Sequence, residues 1–339
     1  MEAKPTHVVI VGAGPAGILM AINLLRRNTP SAPPIYTVEL VEGGIDLGEL
    51  DDEGLQRKRS WMIGLAWPGL RALRRVPGLY EDYVSKIGVE IRQLALYLGK
   101  TKLLSASGDA GTDAENYLVD RNFVVAALSR FLNDHFKDSE HLTLRYGHKV
   151  NFVDTESRRI HVRATEDGAE SYLKYDLLVG ADGGRSVVRG ALIANHRDFD
   201  FRIEDIFERF KSVHVAMPEG MEENCMHVFP SCLPNMNGIG LLETGHRVNI
   251  SIGHRRHMPC DAALKSDDPA VVADFLRANF KACPLPYEDF AEAWVAQGWQ
   301  STTMTHCNFY HSVKLQVVIM GESQTTNICL EIAFSSLTM

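Results

Sequence analysis

The chain of 339 residues, with 45% hydrophobic and 23% charged residues, has the composition of a globular protein with two lobes or one large α/β domain. Its 35 basic and 43 acidic residues give a net charge of −8, which argues against nucleic acid as a partner and against docking on anionic lipid. No apolar run is long enough to cross a bilayer, and the first residues lack the apolar core of a signal peptide. We therefore expect a cytoplasmic protein without a membrane segment, with association to an organelle left open. The six cysteines form no Cys-x-x-Cys pair, so we expect free thiols and no metal site.

The first forty residues predict a strand, a glycine-rich turn, a helix and a second strand. Residues 7–11 are a short, β-branched apolar run of the kind found in central parallel strands. Residues 18–27 place apolar side chains on one helical face and basic side chains at the end, where they suit the helix dipole. A proline-rich loop then leads to a strand at 36–41, which ends before Glu42.

Downstream, apolar periodicity predicts further helices and strands. Helices are expected over 69–76, 120–136 and 269–280 and from about Ser186, and strands over 142–146, 149–153, 159–164, 177–180 and 316–320. Residues 198–258 have short apolar runs separated by turn residues, which predicts an antiparallel sheet. The fold class expected is therefore α/β: a Rossmann-like domain, with a parallel sheet covered by helices, joined to an antiparallel-sheet domain.

The segment Gly12-x-Gly14-x-x-Gly17, between a strand and a helix, is a dinucleotide-binding pattern. Gly12 permits the tight turn, Gly14 lets the backbone approach a pyrophosphate, and Gly17 allows close packing of helix on strand. The helix N-terminus, where a first-turn proline is tolerated, directs N–H groups at the phosphates. Glu42 can accept both hydrogen bonds of a ribose diol. This pattern alone does not separate FAD from NAD.

A second signature lies at 175–189. An apolar strand runs into Asp182-Gly183, and Ser186 and Arg189 stand three residues apart on the next predicted helix. The segment resembles the Asp-Gly fingerprint of the FAD-dependent aromatic monooxygenases, for which NAD dehydrogenases have no counterpart. Within that family the best likeness is to the kynurenine 3-monooxygenases.

Three further stretches, 59–73, 119–132 and 226–237, extend the likeness, which covers residues 7 to about 321 loosely. It implies FAD as the cofactor, NADPH or NADH as the reductant, and O₂ and a small aromatic compound as co-substrates. The family needs no catalytic triad, and we assign no catalytic residue. Together the glycine loop and the resemblance give as cofactor-binding residues Gly12, Gly14, Pro15, Ala16, Gly17, Glu42, Gly64, Arg121, Val150, Asp182, Gly183, Gly321 and Glu322.

The same reasoning divides the chain into domains. We expect an FAD-binding domain over 1–197, with a substrate-side segment at about 80–118. An antiparallel-sheet substrate domain should follow over 198–300, and residues 301–339 should return to the first domain.

The family's third fingerprint, Gly-Asp-Ala-Ala-His followed by a glycine-rich loop, is matched only at its start. Gly321 is followed by Glu322, which keeps a carboxylate with one more methylene, and then the pattern is lost. Two interpretations stay open: a natural, divergent chain with an open flavin site, or a truncated or mistranslated product. The abrupt loss of pattern favours the second, because local and global signals agree in a foldable sequence.

The substrate side departs from the family as well. Arg92 aligns with the first arginine of the family's Met-Arg-x-Arg substrate stretch, but Leu94 stands at the second. Arg92 could bind a substrate carboxylate or could lie solvated on a strand. The leading hypothesis is an NAD(P)H-consuming aromatic monooxygenase. The alternative is a flavin-binding protein that has lost hydroxylation, and the Asp182-Gly183 segment disfavours an NAD-dependent dehydrogenase.

Overall fold

The computed structural model describes residues 4–58, 60–98, 101–106, 116–230, 236–254, 262–280 and 285–321. The α-helices of these ranges are α1 (Pro15–Leu25), α2 (Asp52–Arg57), α3 (Trp67–Arg74), α4 (Arg121–Phe136), α5 (Val187–Asn195), α6 (Pro269–Asn279) and α7 (Tyr287–Ala296). The strands are β1 (Thr6–Val11), β2 (Tyr36–Val41), β3 (Met62–Leu65), β4 (Gly88–Glu90), β5 (Gln93–Leu98), β6 (Thr101–Ala106), β7 (Tyr117–Asp120), β8 (Leu142–Arg145), β9 (His148–Asp154), β10 (Arg159–Ala164), β11 (Glu170–Lys174), β12 (Leu177–Gly180), β13 (Phe201–Ala216), β14 (Cys225–Pro230), β15 (Met236–Glu243), β16 (Arg247–His254), β17 (Gln300–Cys307), β18 (His311–Ser312) and β19 (Val317–Ile319). Parts of the predicted stretches, namely Arg59 and residues 231–235, and the predicted site residue Glu322 lie outside the described residues.

The first lobe is built on a six-stranded sheet in the order β18-β19-β12-β1-β2-β8, which is parallel except for β18. Residues 8–11 of β1, one of its two central strands, are all apolar and buried because both faces are covered there. Val8 and Ile10 pack with α1 and α4 on one face. Val9 and Val11 pack with α5 and the small sheet β9–β11 on the other. We call this unit the parallel-sheet lobe.

The second lobe is a seven-stranded sheet in the order β17-β13-β16-β15-β14-β5-β6. All its pairings are antiparallel except that of β14 with β5. One face is covered by α6 and α7, where Val213, Ile250, Phe290 and Trp294 are buried in one apolar cluster. We call this unit the antiparallel-sheet lobe. It takes β5 and β6 from early in the chain and β17 from after residue 299.

A three-stranded sheet, β3-β7-β4, lies against the other face of the antiparallel-sheet lobe. Met62 and Leu118 of this small sheet pack with Ile239 and Leu241 of β15. Because β7 runs directly into α4, this contact fixes the N-terminus of α4 at the junction of the two lobes. None of the helices in the described ranges is long and apolar enough to span a membrane.

The predicted fold class is confirmed, with a helix-covered parallel sheet and an added antiparallel sheet. Strands at 36–41, 159–164 and 177–180 begin and end where the sequence predicts. Helix α7 and the strands of the small sheet are additions that apolar periodicity did not indicate. The small-sheet strands have only three or four residues, too few for a period to register. The domain boundaries stay a prediction.

Candidate functional site

The glycine turn after β1 is packed so closely that two of its positions exclude any side chain. Gly12 has φ +101°, and a Cβ there would lie 2.4 Å from the carbonyl oxygen of Ala181. A Cβ on Gly17 would lie 1.9 Å from the carbonyl oxygen of Gly12. The turn, α1 and the end of β12 are therefore held in backbone contact, as a dinucleotide loop requires.

Gly14 has a different role, because its backbone (φ −74°) suits any residue. A Cβ there would lie 3.4 Å from the guanidinium of Arg121, at the start of α4. Helix α1 has Pro15 in its first turn and no side-chain cap, so its N-terminal N–H groups face the same space. A guanidinium and an uncapped helix N-terminus together form an electropositive cradle suited to phosphate.

Trp61 borders this cradle. The Arg121 guanidinium carbon lies 5.1 Å from the centre of its ring, a cation–π contact. The indole N–H is buried and has no hydrogen-bond partner among the described residues. A buried donor without an acceptor is costly, so a ligand acceptor at this position would stabilise it. No sequence pattern distinguishes Trp61 from the other tryptophans.

Glu42, at the end of β2, anchors the glycine turn. Its Oε2 accepts a hydrogen bond from the Ala13 N–H at 2.9 Å, and its Oε1 accepts one from the Gly44 N–H at 2.7 Å. Each carboxylate oxygen can accept a second bond, so the side chain can still accept from a ribose. It stands on the loop side of the sheet, as predicted.

Asp182 is tied to the helix that follows it. Its Oδ1 accepts from the Ser186 hydroxyl at 2.5 Å, and its Oδ2 accepts from the Val187 N–H at 2.6 Å. It thus stabilises the N-terminus of α5, a role that the sequence reasoning missed. Gly183 has φ +77° and makes the turn possible.

Gly321 also reaches the cradle. It has φ +63°, and a Cβ there would lie 2.9 Å from the Cβ of Ala16 in α1. The end of β19, the first turn of α1, the start of α4 and the Asp182 turn therefore converge. Of the predicted cofactor-binding residues, most lie in this convergence, and Glu322 lies outside the described residues.

Three further predicted site residues make contacts of other kinds, and their part in binding stays a prediction. Val150 is only 6% exposed and packs in the core with Val11 and Val41, so its side chain serves packing. Gly64 lies in β3, opposite Leu118. Arg92 is exposed, and its Nη2 donates to Glu90 at 2.6 Å, which raises the pKa of Arg92.

A second feature lies at the junction of the lobes and was missed by the sequence analysis. A cavity of about 230 Å³ is lined there by residues of both lobes. Asp120, His214 and Glu243 line it, with one ligand-type atom from each within 4.8 Å of the others. No local pattern could reveal this cluster, because its members are far apart in the chain and meet only in the folded chain, where β7 packs on β15.

The cluster has an asymmetric set of partners. His214 Nδ1 lies 2.5 Å from Glu243 Oε1, and Arg247 Nε lies 3.6 Å from the other Glu243 oxygen. Asp120 Oδ1 instead accepts from the Ser60 hydroxyl at 2.5 Å and the Asn122 N–H at 2.7 Å, both uncharged donors. Burial raises the pKa of Asp120 even though these hydrogen bonds act in the opposite direction.

No protein-family model matches the chain. Kynurenine 3-monooxygenase of Neurospora crassa is 25% identical over 247 residues, covering 69% of this chain and 46% of the relative. The Myxococcus xanthus enzyme is 28% identical, covering 68% of this chain and 47% of the relative. The Anopheles gambiae enzyme is 24% identical, covering 95% and 63%. The chain spans about half the length of most of the curated relatives it matches.

Solved structures agree on the fold. A tetrameric 2-methyl-3-hydroxypyridine-5-carboxylic acid oxygenase superposes with a TM-score of 0.66 at 15% identity, covering 95% of this chain and 76% of that one. A tetracycline destructase superposes with a TM-score of 0.58, also at 15% identity, over 95% and 75%. At such identities the likeness shows the fold alone. The chain is thus similar in sequence to kynurenine 3-monooxygenases and shares its fold with aromatic-ring oxygenases, which confirms the resemblance that its motifs carry.

Proposed function

We propose that the chain binds FAD along the parallel-sheet lobe, as the flavin-binding part of an aromatic monooxygenase. The observation that carries this proposal is the cradle at Gly14, where the N-terminus of α1 and the Arg121 guanidinium face one space. The relatives named above support the assignment. Since two of the three are about twice as long as the matched segment, the activity of the whole protein is part of the proposal.

The residues present fit this cofactor. The N–H groups of α1 and Arg121 would hold the pyrophosphate, and Glu42 would accept from the adenosine ribose while keeping the turn in place. Trp61 offers a buried donor beside them. Gly321 lets the end of β19 approach the first turn of α1 closely. Bound FAD would supply the redox chemistry, taking electrons from NADPH or NADH and passing them to O₂ for hydroxylation of a small aromatic substrate.

The test of cofactor binding is reconstitution of the purified chain with FAD, followed by flavin absorbance after desalting. The most informative variant is Gly14→Val. The backbone at Gly14 tolerates a side chain, so the added isopropyl group fills the cradle without straining the turn. We expect the wild type to retain FAD and Gly14→Val to lose it while keeping its circular dichroism spectrum. Gly190→Ala, at a helix position with open space around it, is the matched control. A wild type that retains no flavin would overturn the proposal.

The hydroxylase proposal needs a separate measurement. NADPH and NADH consumption and hydroxylated product are followed together, with kynurenine and simple phenols as trial substrates. A product-to-cofactor ratio near one for any of them supports a monooxygenase. Consumption with peroxide release and no product supports the alternative, a flavin-binding protein that has lost hydroxylation.

A further inference from the structure

The cavity at the junction of the lobes has features of a ligand site, and none of its lining residues is among those assigned above to the cofactor. Its volume is about 230 Å³. In another protein, an engineered cavity of about 150 Å³ holds one benzene molecule. The junction cavity is therefore large enough for an aromatic ring with a short substituent. Met62, Leu118 and Phe123 supply an apolar wall, and Asp120, His214 and Glu243 supply a polar one.

The charges of the lining do not balance. Glu243 has two partners of its own, His214 and Arg247. Asp120 takes part in no salt bridge among the described residues, and the donors that bind it are uncharged. Two carboxylates, Asp120 and Glu243, thus face the cavity, whereas Arg247 is the one guanidinium among its lining residues. A monocation would be attracted to this cavity, and an anion would be repelled.

We infer that this cavity binds a small primary arylalkylamine, with the ammonium group between Asp120 and Glu243 and the ring against Met62, Leu118 and Phe123. The ammonium would donate to the Asp120 oxygen that Ser60 and Asn122 leave unused. A bare metal ion would contact only the polar side chains and would leave the apolar walls of the cavity without a partner. A ligand with an aromatic ring therefore fits the cavity better.

As a statement about substrate, the inference rests on the proposed function, and it makes that function specific for amines. Recognition of a substrate carboxylate by Arg92 would require displacement of Glu90, which already binds this exposed guanidinium. The acidic side chains of the cavity can bind a cation. Arg92 is less available to bind a carboxylate, because it already binds Glu90.

The test is calorimetric titration of the FAD-free chain at pH 7 with three probes of one shape. The probes are 2-phenylethylamine, the neutral 2-phenylethanol and the anionic 3-phenylpropanoate. We expect the amine to bind about tenfold more tightly than the alcohol, as for hydrogen bonds to a charged group, and the anion not to bind. Equal binding of amine and alcohol would overturn the inference.

Asp120→Asn removes the charge and preserves the helix cap, because asparagine caps helices as well as aspartate. It should abolish the preference for the amine and leave binding of the alcohol unchanged. Glu140→Gln, at a side chain 87% exposed beyond α4, is the control with the same charge change. If Asp120→Asn fails to fold, Glu243→Gln gives the second measurement. An amine preference that survives both variants would contradict the inference.

Two further outcomes keep the proposals distinct. Tight binding of Zn²⁺ without amine binding would assign Asp120, His214 and Glu243 to a metal and overturn the amine site. FAD uptake is measured on the same preparations. A chain that takes up FAD but shows no amine preference overturns only this inference, whereas amine binding without FAD uptake overturns only the proposed function.

Discussion

The two lobes achieve close packing in opposite ways. In the parallel-sheet lobe the decisive positions lack side chains: Gly12 and Gly17 bring the backbones of β1, α1 and β12 into contact. In the antiparallel-sheet lobe the decisive positions are bulky, with Trp294 and Phe290 fully buried and stacked at 5.7 Å. The first arrangement leaves an open cradle for a ligand at the loop, and the second fills its interior. Close packing thus depends on absent side chains in the parallel-sheet lobe and on the largest side chains in the antiparallel-sheet lobe.

The largest effect is expected from truncating the bulk of the antiparallel-sheet lobe. Trp294 is fully buried, and its indole N–H donates to the Leu264 carbonyl at 3.1 Å. Trp294→Ala should lower the free energy of unfolding by about 4 kcal/mol through lost burial and a cavity. Urea denaturation measures it, with Trp67→Ala, at a position 57% exposed, as a control expected to change stability by less than about 0.5 kcal/mol. Equal losses in both variants would contradict the comparison.

The parallel-sheet lobe should respond most to the gain of a single methyl group. Gly17→Ala would place a Cβ 1.9 Å from the Gly12 carbonyl oxygen, so α1 must move away from the turn. We expect a loss of about 3 kcal/mol, together with loss of FAD retention. Gly190→Ala, in α5 with nothing near its Cβ, should instead gain up to about 1 kcal/mol. If both substitutions stabilise the chain, the close contact at Gly17 is not required.

The sequence predicts the parallel-sheet lobe well because its signals are local. Three glycines within six residues, an apolar strand before them and an acid after the next strand are read from one short segment. The pairing of β5 with β14 could not be read this way, since it joins Gln93 to Cys225 and depends on how the lobes assemble. The same holds for the Asp120 cluster and for Trp61, which acquire their surroundings only in the folded chain.

The parallel-sheet lobe also buries a charged side chain within its sheet. Glu39 is 7% exposed within β2, and it pairs with His7 at 3.3 Å and with the Arg145 guanidinium. Burial acts to raise the pKa of Glu39, but its hydrogen bonds and ion pairs outweigh burial, and the pKa is lowered from 4.5. Glu39→Gln should cost about 2 kcal/mol at pH 7, less than for a fully buried pair because Arg145 is partly exposed.

The pH dependence of this contribution follows from its sign. A depressed carboxyl pKa stabilises the fold above the unfolded value of 4.5 and loses that effect as the pH falls below it. Urea denaturation at pH 7 and at successively lower pH should therefore show wild type and Glu39→Gln converging in acid. If the difference in free energy of unfolding between wild type and Glu39→Gln stays constant with pH, the ion pair of Glu39 is not the cause of that difference.

The smallest effect, and one of opposite sign, is expected at the junction of the lobes. Burial raises the pKa of Asp120 above 3.8, so its contribution to stability is fully present below that pH and is lost as the pH rises through the raised value. Asp120→Asn keeps the cap of α4 but gives up a favourable charge at the helix N-terminus, and these effects leave a net change within about 1 kcal/mol at pH 7. The decisive measurement is therefore how the difference in free energy of unfolding between wild type and variant changes with pH. Relative to Asp120→Asn, the stability of the wild type should fall as the pH rises above about 4. Relative to Glu39→Gln, it should rise. Added 2-phenylethylamine should reverse the fall at Asp120, because an ammonium beside the carboxylate favours its charged form. If the two slopes have the same sign, Asp120 is paired with a cation in the folded chain, and the junction cavity is not the unbalanced site that distinguishes it from the parallel-sheet lobe.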